Sequence, residues 1–200
     1  MKLILIIAAL SVIIFIIIQI CIVMSADKTK TQAYKVLLVK DSFEIRFYPA
    51  ATMASITSAA KSYKELGNTG FRKLAGYIFG GNEDEQKISM TTPVRMDIND
   101  SIATMSFVMP SAYHPGILPK PNDKQVIIKT APEEFVAACT FGGYATDNDI
   151  EINTQKLINS LNKNNINFYG NFRLLAYNAP FQLINRRNEI IGNVDWKGVS

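Results

Sequence analysis

The chain predicts an α+β fold: duplicated strand-helix-strand-strand units forming a curved antiparallel sheet or distorted barrel with two helices, preceded by an N-terminal transmembrane helix. Three observations lead there. Leu3 to Val23 carries no charge and is apolar on every side, interrupted only by Ser11 and Gln19. Past residue 33, short runs of alternating apolar and polar residues are bounded by Gly, Pro, Asn and Asp, as strands are. Each half of that strand pattern is broken once by a stretch with helical spacing, and two strand-like runs follow each break.

At a rise of about 1.5 Å per residue, Leu3 to Val23 covers roughly 31 Å, one hydrocarbon core. A cleaved signal has a shorter apolar region, about 7–15 residues, and a small-residue cleavage site. The run here is longer, and Val23 to Ala26 offers only poor sites. Cys21 follows Ile18-Gln19-Ile20, which lacks the small residues of a lipoprotein site. Residues 1–26 therefore read as an uncleaved single-pass membrane anchor with a short polar flank, 27–33 as a linker and 34–200 as the domain. Lys28, Lys30, Lys35 and Lys40 would keep the domain cytoplasmic by charge alone. A very short N-terminal tail behind a signal-like run points the other way, and the extracytoplasmic side is the expectation.

Tyr34–Val39 and Phe43–Tyr48 read as strands around Asp41-Ser42. In the second, Phe43, Ile45 and Phe47 alternate with Glu44, Arg46 and Tyr48, which predicts a half-buried strand. Pro49 ends it and Thr52–Thr57 resumes extended structure. Tyr63–Phe79 has helical spacing, although Gly67 and Gly70 weaken its first half and would move its start towards Thr69. Gly80-Gly81 closes it. Ile88–Ile98 and Ala103–Met109 make a hairpin through Asn99-Asp100-Ser101, and the proline-rich Tyr113–Asp123 is a loop. The pattern then recurs: strands at Gln125–Thr130 and Glu134–Phe141, a helix at Asp147–Leu161, strands at Phe172–Tyr177 and Glu189–Trp196.

Composition narrows the chemistry. The formal charge is +4, without a basic stripe, and Arg72-Lys73 and Arg186-Arg187 are too small a patch for nucleic acid. Cys21 and Cys139 sit in the apolar run and in a strand, so no disulfide is expected. Asp147-Asn148-Asp149-Ile150-Glu151 imitates a calcium loop but has Ile152 where that loop needs glycine, and reads instead as an acidic first helical turn. His114 is the sole histidine, on a proline-rich loop, and Cys139 lies on an apolar strand face. An enzyme working with its own side chains is not visible, and a hydrolase would require a groove carboxylate with a raised pKa, for which Glu44 is the candidate.

Seven segments occur in one order: FEIRFYP, TGFRKLAGYIFGGNE, KISMTTPV, SFVMPSAY, LPKPND, FGGYA and NAPFQLINRRNEI. Together they resemble the SOUL family of haem-binding proteins, with KISMTTPV the most recognisable piece. The resemblance implies the same α+β repeat and a shallow apolar groove beside the first helix of the domain, binding haem or a related tetrapyrrole without catalysis. It points to Phe71 and Leu74 as apolar groove residues and to Lys64, Arg72 and Lys73 as partners for the propionates. Two positions depart from the family: Phe47 stands where one branch has an axial histidine, and Asn68 where another has a basic residue. His114 is then the one imidazole for an axial position, against the plainer reading of an exposed loop histidine. The same fold serves the effector-binding domains of some bacterial regulators, so an interaction module that has lost haem is the alternative.

Overall fold

The computed structural model describes residues 2–26, 29–99 and 102–198. A long apolar helix α1 (Lys2–Ala26) precedes the domain. The first unit contains β2 (Lys35–Val39), β3 (Glu44–Tyr48), β4 (Ala51–Ser58), α2 (Tyr63–Ile78), β6 (Val94–Ile98) and β7 (Ala103–Val108). The second contains β8 (Ile127–Ala131), β9 (Glu134–Gly142), α3 (Asp147–Lys163), β10 (Phe168–Ala176) and β11 (Arg187–Val194). Short segments β1 (Lys30–Thr31) and β5 (Thr91–Thr92) pair in parallel apart from the main sheet. β1 thus lies inside the expected linker, whose residues 27 and 28 fall outside the described residues.

Nine strands form one antiparallel sheet in the order β2-β3-β9-β11-β10-β6-β7-β4-β8. The units interleave, because β3 pairs with β9, β6 with β10 and β4 with β8. Neither unit could cover its own edges, and their union leaves only β2 and β8 at the ends. The expected duplicated α+β architecture is the observed one.

Both domain helices lie on the same face. α2 packs on β4, β6 and β7, burying Leu66, Gly70, Leu74, Tyr77 and Ile78. α3 packs on β9, β10 and β11, burying Ile150, Leu157 and Leu161. The glycines do not delay α2, which starts at Tyr63 with Ser62 as its cap. A methyl at Gly70 would sit 3.2 Å from the Met105 sulfur and 3.3 Å from Ile56, so glycine there lets helix and sheet approach closely. Both helices end alike. Gly81 N–H bonds to Gly76 O and Gly80 N–H to Tyr77 O, with Gly80 at φ 112°. Ile166 N–H bonds to Leu161 O and Asn165 N–H to Asn162 O, with Asn165 at φ 54°.

Two expectations of pattern are corrected. Arg46 and Tyr48 face neither solvent nor helix but are buried, at 3% and 1% exposure, on the sheet's other face, where Tyr48 packs with Val136, Ala138, Leu175 and Ile191 and Arg46 reaches Glu189. The sheet curls over this face, so its polar stripe becomes an interior. The Ile88 segment also begins later as a strand: Lys87 makes a single bridge to Phe79, and regular pairing starts at Thr91.

Candidate functional site

The outer flank of α2 is built from small and apolar side chains at helical spacing. Gly67, Asn68, Phe71, Arg72, Ala75, Gly76 and Phe79 border an open trough whose far wall is Pro180. Phe71 serves two surfaces, since its ring also meets Phe107 edge-on at 5.4 Å. Phe79, at the end of the helix, is 62% exposed. The trough deepens into a largely apolar cavity of about 580 Å³. Met90, Thr92 and Val94 form its floor, Ala176 to Gln182 a side, and Ile17, Ile18, Cys21 and Ile22 of α1 the remaining wall. The KISMTTPV segment is therefore part of the groove and not only a mark of the fold. It is fixed from both sides, by Ile88 N–H to Ile78 O at 2.8 Å and by the Thr91 hydroxyl to Val108 O.

The six residues suggested as a site separate. Phe71 lines the trough and Arg72 stands on its lip. Lys64 is exposed and lies four residues before Asn68 and eight before Arg72, on the same helical stripe. Leu74 is wholly buried in the α2 core. Lys73 turns away, to Gln125 and to Asp123 at 3.8 Å. His114 is exposed on its loop and lines neither trough nor cavity. Phe47 packs on Phe135 at 5.2 Å, on a strand pair separated from β10 by β11. Sequence reasoning missed the α1 wall and the 176–182 side. The available signals were Gln19, a lone amide in an apolar run, and the apolar letters of NAPFQLI in what must be a loop.

Electrostatics concentrate on the opposite face of the sheet. Glu134 receives Arg95 at 2.6 Å and Arg173 at 2.8 Å. Burial pushes its carboxyl up, but the two guanidinium groups outweigh that and hold it below the ordinary range. Asp97 borders the same cleft of about 360 Å³, and burial pushes its carboxyl up against the weaker pull of Arg173. Glu44, the carboxylate a hydrolase would have used, is paired with Arg46 at 2.7 Å and is not among the groove-lining residues. The raised carboxyl is thus across the sheet from the apolar groove. Cys139 is buried, and burial pushes its thiol up, which suits a packed thiol better than a nucleophile.

The family model described as SOUL heme-binding protein matches residues 29–193. Mouse heme-binding protein 2 is 32% identical over 157 residues, covering 74% of this chain and 76% of that protein. The human heme-binding protein 2 is 31% identical over 159 residues, and heme-binding protein 1 of Xenopus laevis 27% over 157. Among solved structures, the C-terminal domain of EcmrR matches with TM-score 0.59 at 9% identity, covering 83% of this chain and 99% of that one. A hydrolase from Listeria innocua matches with TM-score 0.55 at 8% identity, covering 78% and 93%. These two share the fold. With nearly the whole domain matched in sequence and the groove beside α2 in place, the chain belongs to the SOUL heme-binding protein family.

Proposed function

We propose that this chain is a membrane-anchored, non-catalytic haem-binding protein that buffers or hands on haem, or a related tetrapyrrole, from the groove beside α2. The observation that carries the reading is an apolar cavity of about 580 Å³ with a basic lip, in a member of this family. That volume is in the range of small-molecule sites, which are mostly apolar with few polar groups. Phe71, Phe79, Met90 and Val94 would hold the porphyrin plane, and Arg72 and Lys64 the propionates. Bound there, haem would bring a redox-active iron. Among lining residues the Met90 thioether is a soft donor of the kind haem iron accepts. α1 supports the anchor: Ile4–Met24 is long and apolar enough to cross a bilayer, and only 6% of it is buried. We place the domain on the extracytoplasmic side, which protease protection in sealed vesicles tests.

Hemin titration of the full chain in lipid nanodiscs tests the binding. A saturable Soret shift is expected, and a flat titration at micromolar protein would overturn it. Phe71→Asp should weaken binding roughly 10- to 100-fold, the loss of an apolar contact worth about 1.5–3 kcal/mol. His114→Ala should leave the spectrum unchanged, because that loop stands apart from the groove lining. Asn68 on the lip, in place of a base, favours the second reading, an interaction module on the same fold that has lost haem. Native mass spectrometry that retrieves an apolar ligand without tetrapyrrole would support that one.

A further inference from the structure

Residues 179–184 break the usual rule for a loop. Phe181, Leu183 and Ile184 point outward at 63%, 45% and 56% exposure, while Gln182 between them is 1% exposed. Isolated exposed apolar residues are ordinary, but here three stand together beside the 62%-exposed Phe79, and such a contiguous patch marks an interaction surface.

Several polar groups of this loop's backbone are paired inside the protein. Ala179 O accepts from Gln182 N–H at 3.1 Å and from Arg186 Nη1 at 2.8 Å. Gln182 O accepts from the same Arg186 atom at 2.6 Å. The buried Gln182 amide donates to Ile184 O at 3.0 Å, and Leu183 N–H donates to Gln19 Oε1 at 3.1 Å. Pro180 has no N–H to satisfy. Backbone at lipid depth must find its partners inside the protein, and these bonds supply several of them, while Gln182 Oε1 and Arg186 Nε are buried without a partner among the described residues.

Gln19 sets the depth. It lies five residues before Met24, the end of the apolar span, so the loop meets α1 about 7.5 Å inside that end. Interfacial segments bury their apolar face about 5–10 Å deep, which is the same depth. Behind the loop, Arg186 stacks 4.3 Å over the half-exposed Tyr144, a pair of the kind that marks the polar boundary of a membrane.

We propose that the tip Phe181-Gln182-Leu183-Ile184 is a second membrane contact, seated in the same phospholipid bilayer that α1 crosses. The proposal rests on the reading of α1 as a membrane span and not on haem. The seated tip borders the cavity, since Phe181 and Gln182 both line it, and so the groove opens at the lipid surface.

The test is Phe181→Trp in a Trp196→Phe background, in the full chain reconstituted into phosphatidylcholine nanodiscs with plain or brominated acyl chains. Seating predicts roughly twofold lower indole emission in the brominated discs, more for bromine near the headgroup than at the chain end, and little quenching by aqueous iodide. Emission indifferent to bromine and fully open to iodide, from a chain that floats with lipid after alkaline carbonate, overturns the proposal and leaves the anchor standing. Shielding from iodide without bromine quenching also overturns it and assigns the tip to a protein surface, a second copy included. A chain that leaves the lipid in carbonate removes both readings. Bromine quenching in discs with a flat hemin titration upholds the seated tip and removes haem alone.

Discussion

Glu189 is wholly buried and is met by Arg46 at 2.8 Å, Arg187 at 2.5 Å, the Tyr177 hydroxyl at 2.8 Å and the Thr140 hydroxyl at 3.2 Å. Burial pushes its carboxyl up, and the hydrogen bonds and charges of Arg46 and Arg187 more than reverse this, leaving the pKa below 4.5. A lowered folded-state pKa stabilises fully above the unfolded value and is lost as pH falls through the folded one. Stability measured by urea unfolding should therefore drop as pH is lowered through 4.5 and beyond, and Glu189→Gln should flatten that drop. Arg46→Ala, which takes away one of the two guanidinium partners of a buried carboxylate, should cost about 3–5 kcal/mol by the same measurement. None of this network was legible in the sequence. Arg46 alternates with Ile45 and Phe47 as a solvent-facing residue would, and its partner stands 143 residues away. Phe71 was legible as a groove residue because helical spacing and family pattern agree on it. Leu74 was not, since the same stripe serves core and groove.

At the scale of elements, α2 and α3 repeat one design with different letters. Ser62 and Thr146 each accept the third helical N–H, and in α3 Asp149 returns the bond to Thr146 N–H at 3.2 Å. Thr146→Ala should cost about 1 kcal/mol in equilibrium unfolding without disturbing the groove, since α3 lines none of it. Gly70 bears on the other helix, where helix and sheet approach too closely for a methyl: Gly70→Ala pushes into Met105 and Ile56, and a lower unfolding midpoint is expected despite the better helix propensity of alanine. These helices were legible in position because amphipathic spacing reports burial directly. The early glycines misled about the start of α2, because propensity cannot register that a neighbouring strand needs the space. For the Ile88 segment, period-two alternation begins before hydrogen-bonded strand pairing does, since a bridge and a loop can also bury alternate residues.

Across the whole molecule, three buried clusters hold the domain, and all of them draw on residues after 33. Deleting residues 1–28 should accordingly leave the thermal unfolding midpoint within about 4 °C, less than 1 kcal/mol for a domain of this size. A larger fall would mean that α1 shares the fold's cooperativity. The two-unit sheet was legible because each unit announces its strands and helix locally and neither could close its edges alone. The groove was only half legible. Its α2 side follows from spacing, but its other walls come from α1 and the 176–182 segment, which only the folded chain brings together.

Gln19 holds the loop through its side-chain amide at both ends, accepting from Leu183 N–H at 3.1 Å and reaching Phe181 O at 3.5 Å. If α1 spans the membrane as proposed, a flexible tether would let the domain tumble beneath it. A pinned one would turn only with its helix, so under that reading the mouth of the groove would keep a constant bearing to the membrane plane. Whatever delivered or collected the proposed ligand would then have a single angle left to find, rotation about the membrane normal.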